Sequence, residues 1–194
     1  MTRTGLDGLK TAGIDFVANY RFSADFGIPG LSQDSRFEIG SEWTWTDEFT
    51  STPVQAFPNI KNYCVGAYGP TCGQPIPEWK GGTRVTWRTG PLTLSLRHRY
   101  IGGVTTDRYI LPKRAGGTVP DLATLTNPKL PAQNYFDTSF SYDLVENVQV
   151  YGGVNNIADK DPPVLGSASP GANTYAATYD VLGTTFFLGG KLKF

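Results

Sequence analysis

The sequence predicts an all-β protein: an antiparallel up-and-down meander of about seven strands, a partial segment of a large transmembrane β-barrel. Three observations predict it. Seven runs alternate apolar and polar residues with a period of two. The connections between those runs alternate between short and long. No stretch approaches the roughly 18 apolar residues of a spanning helix, whereas a barrel strand spans with about 9–11 residues, every second one apolar.

Composition agrees. Of 194 residues, 23 are glycine, 13% are aromatic and one is methionine. Lysine plus arginine and aspartate plus glutamate both count 17, without long runs of either sign, so no footprint for nucleic acid is present. The mean hydropathy of -0.26 is that of a chain with one wet face, not that of a helical membrane protein. The first residues, Met1-Thr2-Arg3-Thr4-Gly5-Leu6, are not a signal peptide.

The seven runs follow in order. In 14–23, Ile14, Phe16, Ala18, Tyr20 and Phe22 oppose Asp15, Val17, Asn19, Arg21 and Ser23. In 37–48, Phe37, Ile39, Ser41, Trp43 and Trp45 oppose Glu38, Gly40, Glu42, Thr44 and Thr46. The short run 84–88 sets Val85 and Trp87 against Arg84, Thr86 and Arg88. In 92–101, Leu92, Leu94, Leu96, His98 and Tyr100 oppose Thr93, Ser95, Arg97, Arg99 and Ile101. Phe136, Thr138, Phe140, Tyr142 and Leu144 oppose Asp137, Ser139, Ser141 and Asp143, and Val148, Val150, Gly152 and Val154 oppose Gln149, Tyr151, Gly153 and Asn155. Last, Thr184, Phe186, Leu188, Gly190, Leu192 and Phe194 oppose a face with Lys191 and Lys193.

A soluble antiparallel sheet also alternates. Two details favour a membrane wall. Aromatic residues gather near the ends of the apolar faces (Tyr20, Phe22, Trp43, Trp45, Trp87, Tyr100, Phe136, Tyr142), as interfacial girdles do. The polar faces carry Arg97, Arg99, Asp137 and Asp143 well inside the runs, where a wet lumen accepts charge and a sandwich core does not.

Between the runs lie 24–36, 49–83, Thr89-Gly90-Pro91, 102–135, Val145-Glu146-Asn147 and 156–183. Short periplasmic turns and long extracellular loops alternate in this way in outer-membrane barrels. The three long connections are therefore expected outside the cell. An odd strand count predicts that at least one strand lies upstream, since complete bacterial barrels have an even number.

Cys64 and Cys72 lie in one of the long, Gly/Pro-rich connections, and a local disulfide is expected there. His98 is the only histidine and lies on an apolar face between Leu96 and Tyr100, without partners for a metal site or a catalytic triad. Asp159 and Asp161 beside Pro162-Pro163 read as a solvated turn. No enzyme, no metal and no cofactor is expected.

The segment Val154-Asn155-Asn156-Ile157-Ala158-Asp159-Lys160-Asp161-Pro162-Pro163 resembles the penultimate-strand motif of TonB-dependent receptors. Tyr179-Asp180-Val181-Leu182-Gly183 is similar to the family's Tyr-Asp-x-x-Gly, although Thr184 stands where the family usually has Arg. Lys10-Thr11-Ala12-Gly13-Ile14-Asp15 resembles a strand start of the same family, and Pro77-Glu78-Trp79 before Arg84-Val85-Thr86-Trp87 also looks like it. The resemblance implies that residues 1–194 are the C-terminal part of a receptor barrel, usually of about 22 strands around a plug. The plug domain, the remaining strands and the upstream region that engages the TonB complex would lie outside this chain. It also implies an outer-membrane location in the lipid bilayer, and a terminal Phe194 read by the outer-membrane assembly machinery.

The expected function is a share in active uptake of a scarce nutrient such as a ferric siderophore, energised by TonB. Arg97, Arg99, Asp137 and Asn155 are the candidate lumen residues, contacting substrate or plug. Tyr63, Tyr68, Trp79, Lys113, Arg114 and Tyr175 are loop side chains suited to siderophores, glycans or other ligands. A passive pore or surface adhesin fits the same pattern, and a soluble β-sandwich binding module is the third alternative.

Overall fold

A computed structural model describes residues 8–32, 34–54, 57, 59–166 and 173–193. Seven long strands form one antiparallel sheet in sequence order. They are β1 (Gly8–Ala24), β2 (Ser35–Thr52), β6 (Trp79–Thr89), β7 (Leu92–Ile101), β10 (Gln133–Val145), β11 (Val148–Asn155) and β12 (Thr185–Leu192). Short elements occupy the connections: β3 (Asn62–Tyr63), β4 (Ala67–Gly69), β5 (Gly73–Ile76), β8 (Val104–Thr106), helix α1 (Asp107–Arg114), a 3-10 turn (Leu122–Thr124) and β9 (Lys129–Leu130). The sheet does not close: β1 and β12 each have a single long neighbour. It is an open segment of a barrel wall.

All seven alternating runs are strands, and their apolar faces fall in register. One row passes from Phe22 through Phe37, Trp87, Leu94, Phe140 and Gly152 to Leu188. The next passes from Tyr20 through Ile39, Val85, Leu96, Thr138 and Val154 to Phe186. A slip of one residue in any strand would turn its apolar set to the other side. Nothing in the described chain covers this face: Phe16 is 48% exposed, Phe140 38% and Leu188 81%. A β-sandwich would hide these residues between two sheets, so the soluble-sandwich alternative fails here.

Aromatic bands border the apolar face. At the short-turn end Phe22, Phe37 and Trp87 stack, and the Trp87 indole N–H donates to the Ser35 hydroxyl at 2.7 Å. Toward the long-connection end Phe16 and Trp45 pack on Trp79, and Trp43 packs on Tyr100. From Trp79 to Trp87 is about 26 Å along the strand, which strand tilt reduces to about 20 Å of height. His98 stacks on Phe136, with its ring nitrogen 2.8 Å from the Asn134 amide oxygen.

Three strands run well beyond the alternation that predicts them. β1 and β2 run on past a β-bulge at Ala12/Gly13, where Thr46 pairs with Gly13, Glu48 with Ala12, and Asp47 is the extra residue. The extra residue shifts the parity of β2, which hides the extension from a strict period-two test. Gly13 is needed there, since a Cβ would meet the Trp45 carbonyl. β6 starts at Trp79, five residues ahead of the predicted run, because Gly81 and Gly82 give no pattern to read. A Cβ on Gly82 would collide with the His98 carbonyl.

The buried core is not on the apolar face of the wall. It lies where the three long connections meet the polar face, and it comprises Tyr68, Ile101, Val104, Leu130, Tyr135, Leu165, Tyr175 and Tyr179. β5, β4, β8 and β9 form a second small sheet that ties the first two long connections together. Cys64 and Cys72 are joined by a disulfide in the first of them. The Asp107 carboxylate accepts the backbone N–H groups of Thr71 (2.6 Å) and Cys72 (2.9 Å), which pins that loop to the head of α1. Gly69, with φ +139°, leaves the room that the carboxylate fills. Closing an eight-residue separation limits the unfolded chain by about 2.5 kcal/mol. Reduction, or Cys64→Ser with Cys72→Ser, is therefore expected to raise hydrogen exchange across 64–76 while the wall strands stay protected.

Burial pushes the Tyr68 phenol up to about 12 and raises Tyr175 and Tyr179 as well. The neutral phenols suit the core and the phenolates do not. The stability they lend is complete below the ordinary phenol range, near pH 10, and is lost as pH rises through about 12. An alkaline titration followed by tyrosinate absorbance should show these three ionising late, together with loss of loop packing.

Candidate functional site

The polar faces also fall in register. One row reads Asn19, Gly40, Arg84, Arg97 and Asp137 across β1, β2, β6, β7 and β10. The next reads Val17, Glu42, Gly82, Arg99 and Tyr135. The last long connection turns in over this face, so that its Ala176–Asp180 stretch and the wall border an open cavity of about 860 Å³. Arg84, Arg97, Arg99, Glu38, Glu42 and Lys80 all line it.

Arg99 is the junction. Its Nε and Nη2 donate to the two Asp137 carboxylate oxygens at 2.7 and 2.9 Å. Nη1 and Nη2 also donate to Asp180, at 3.1 and 2.5 Å. In register Asp137 faces Arg97, but its partner is the diagonal neighbour Arg99, within reach of a long side chain. The guanidinium lies over the Tyr135 ring, 5.0 Å from its centroid, and that ring is fully buried. The planar fork suits this double carboxylate contact in a way a lysine would not.

Asn156 fixes the start of the same loop. It is fully buried, and its backbone N–H donates to Asp137 at 3.0 Å. Its side-chain amide donates to the Lys160 carbonyl and accepts from the Lys160 N–H. Thr184 closes the loop: its hydroxyl donates to the Asn156 carbonyl at 2.8 Å, and its N–H donates to the Asp159 carboxylate at 3.0 Å. Asp159 is thus a turn residue in the left-handed region (φ 47°), not half of an acid/base pair.

Of the sequence-predicted residues, Arg99 and Asp137 are brought together. Arg97 lines the cavity without an ion pair among the described residues. Asn155 lies nearer the edge, its side chain 3.4 Å from the Thr185 hydroxyl, and it does not line the cavity. Phe194 lies outside the described residues. The loop residues need correction. Tyr68 and Tyr175 are core, packed edge to face, with the Tyr68 hydroxyl donating to the Asn127 carbonyl. Trp79 belongs to the apolar aromatic band. The Arg114 guanidinium is committed to the Tyr63 and Val65 carbonyls, beside a smaller hollow of about 420 Å³. Tyr63 stays exposed.

Asp180, Asn156 and Arg84 carry roles that the sequence reading did not assign. Parity had put Arg84 on the wet face. Asp180 stands in irregular backbone, where parity has no meaning, and only the motif Tyr179-Asp180 marked it.

The model of the TonB-dependent receptor-like β-barrel family matches residues 2–157. The chain belongs to the TonB-dependent receptors. This is a family of outer-membrane transporters, not of enzymes, whose barrels work with a plug and with TonB. The open seven-strand meander is part of such a receptor barrel. Its last loop and β12 lie beyond the matched residues and continue the same sheet. No curated protein and no solved structure matches the chain.

Proposed function

We propose that residues 1–194 form the C-terminal part of a receptor barrel whose plug and upstream strands belong to the rest of the protein. The receptor takes up a scarce nutrient such as a ferric siderophore, with energy from TonB. The observation that carries this reading is the two-faced wall. A continuous apolar face bordered by aromatics suits lipid, while a charged face with a cavity suits a wet lumen. Two open edges require partner strands, because a spanning sheet in lipid must close. Arg97, Arg99, Asp137 and Asn155 then face the lumen, where they meet plug or substrate. The loop ends cluster outside the cell with the disulfide, in the oxidising environment where such bonds persist. Phe194 serves the assembly machinery.

The test is uptake of radiolabelled ferric siderophore by cells carrying the intact receptor. Accumulation is expected to need both the receptor and a working TonB complex. Uptake that continues unchanged without TonB would point to a passive pore and end the active-transport reading.

A further inference from the structure

β1 and β2 run on past the outer aromatic band, and the smaller hollow of about 420 Å³ opens beside them. It lies between β2, β3, the start of β6 and the end of α1, and its lining includes Trp45, Glu48, Thr50, Tyr63, Glu78 and Arg114.

Register decides which way these side chains face. Trp45 pairs with Ile14, Glu48 with Ala12 and Thr50 with Lys10, and these alternate residues of β1 share the face of Phe16. Tyr63 pairs in turn with Thr50. Residues paired across strands lie on one side of a sheet. The contacts agree: Lys10 meets the Glu48 carboxylate at 2.6 Å, and the Thr50 hydroxyl donates to Glu48 at 3.1 Å. Trp45, Glu48, Thr50 and Tyr63 therefore stand on the apolar side of the wall, opposite the side that a plug would fill. β1 separates them from the open edge of the sheet. The hollow starts at the contact of Trp45 with Trp79, in the band where hydrocarbon gives way to headgroups.

Its chemistry suits an uncharged, hydroxyl-rich ring. Tyr63 is exposed and Trp45 half-buried, and the faces of their rings take the C–H side of a sugar. Glu78 accepts the Trp45 indole N–H at 3.2 Å and keeps lone pairs for sugar hydroxyls, in charge-assisted hydrogen bonds. The charges around the hollow balance, with Asp47, Glu48 and Glu78 set against Lys10, Lys61 and Arg114. Arg114 is committed to two backbone carbonyls, so no cluster of free cations is held out to a phosphate. Just below the hollow on the same face, the Ser41 and Thr83 hydroxyls lie 2.8 Å apart, and the Trp43 indole N–H donates to Ser41 at 3.0 Å. Hydroxyls at that depth meet the ester or amide groups that join acyl chains to a headgroup.

We propose that this hollow seats the sugar of an outer-leaflet glycolipid. An uncharged hexose lies in the hollow, and its acyl chains run down the apolar face past Trp45 and Trp79. The inference goes beyond the uptake reading and needs only that the apolar face meets lipid.

The test is native mass spectrometry of the intact receptor, extracted in a sugar-free detergent and titrated with lipids of matched acyl chains. The probes are monoglucosyl diacylglycerol, diacylglycerol without the sugar, and phosphatidylglycerol. The glucosyl lipid should be retained about tenfold more tightly than either of the others. Y63A should erase that preference, and Y63F, which keeps the ring, should preserve most of it. E78Q should weaken it, which provides a second reading if Y63A lowers the yield of folded barrel. L192A, on the apolar face far from the hollow, should change nothing. Four outcomes overturn the seat: equal retention of all three lipids, tighter retention of phosphatidylglycerol, a glucosyl preference that survives both Y63A and E78Q, or free glucose bound as tightly as the glucosyl lipid. The last would mean a site for a soluble glycan, with no part played by the bilayer. The readout involves neither uptake nor TonB, so failure of the seat and failure of the transport reading are separate results.

Discussion

Replacing Leu96 with arginine is expected to destabilise the folded barrel by about 2–4 kcal/mol, the cost of a basic side chain near the lipid midplane. Leu96 is 48% exposed on the apolar face, between Val85 and Thr138 and away from both aromatic bands. On a soluble protein a half-exposed strand leucine is a mild site, and such a change stays within about 0.5 kcal/mol. The two environments therefore predict different outcomes for one substitution. Ser95→Arg, one residue away on the polar face, is the matched control and should cost little in a wet lumen. Folding of the receptor into lipid vesicles, followed by urea titration of tryptophan fluorescence, measures both. Equal, small effects would remove the lipid from the account of this face.

That contrast also explains why the wall was legible in the sequence. Along the middle of β7 and β10 side chains alternate between an apolar and a charged face, so Leu94 and Phe140 oppose Arg97 and Asp137 without ambiguity. Legibility failed where the period failed. The bulge at Ala12/Gly13 shifts the parity of β2, and Gly81-Gly82 has no side chains to alternate. The inward cap was unreadable for a different reason. β4, β8 and β9 are two or three residues long, too short to show any period, and β4 pairs β8 in parallel across a wide sequence gap. Tyr68 and Tyr175 looked like loop-tip ligands because Gly and Pro surround them in sequence. They are buried because their two loops pack on each other and on the third long connection, which no local pattern records. Residue type and face were enough to select Arg99 and Asp137, but not the third member. Asp180 reaches them through tertiary packing of irregular chain.

The same junction carries the second large expected effect. Arg99→Ala should undock the last loop and cost about 2–3 kcal/mol, less than the loss of a fully buried pair because the site is partly open to water. The Arg99 side chain is 26% exposed and that of Asp137 13%. Without the guanidinium, Asp137 keeps only the Asn156 N–H as a donor, and Asp180 has nothing to hold it against the wall. Asp180→Asn removes one carboxylate and leaves the Arg99–Asp137 pair intact, so its cost should be smaller and confined to the loop. Arg99→Lys should fall between the two, since one ammonium cannot serve two carboxylates with the geometry of a fork. Hydrogen exchange separates these outcomes. Amides of 173–183 should exchange faster in all three variants, in the order Ala, Lys, Asn, while β10 is affected only when Asp137 loses its partner. If exchange in 173–183 stays at the wild-type rate in Arg99→Ala, the tyrosine core alone holds the loop, and the ion pair is a surface ornament of the docked state and not its fastener.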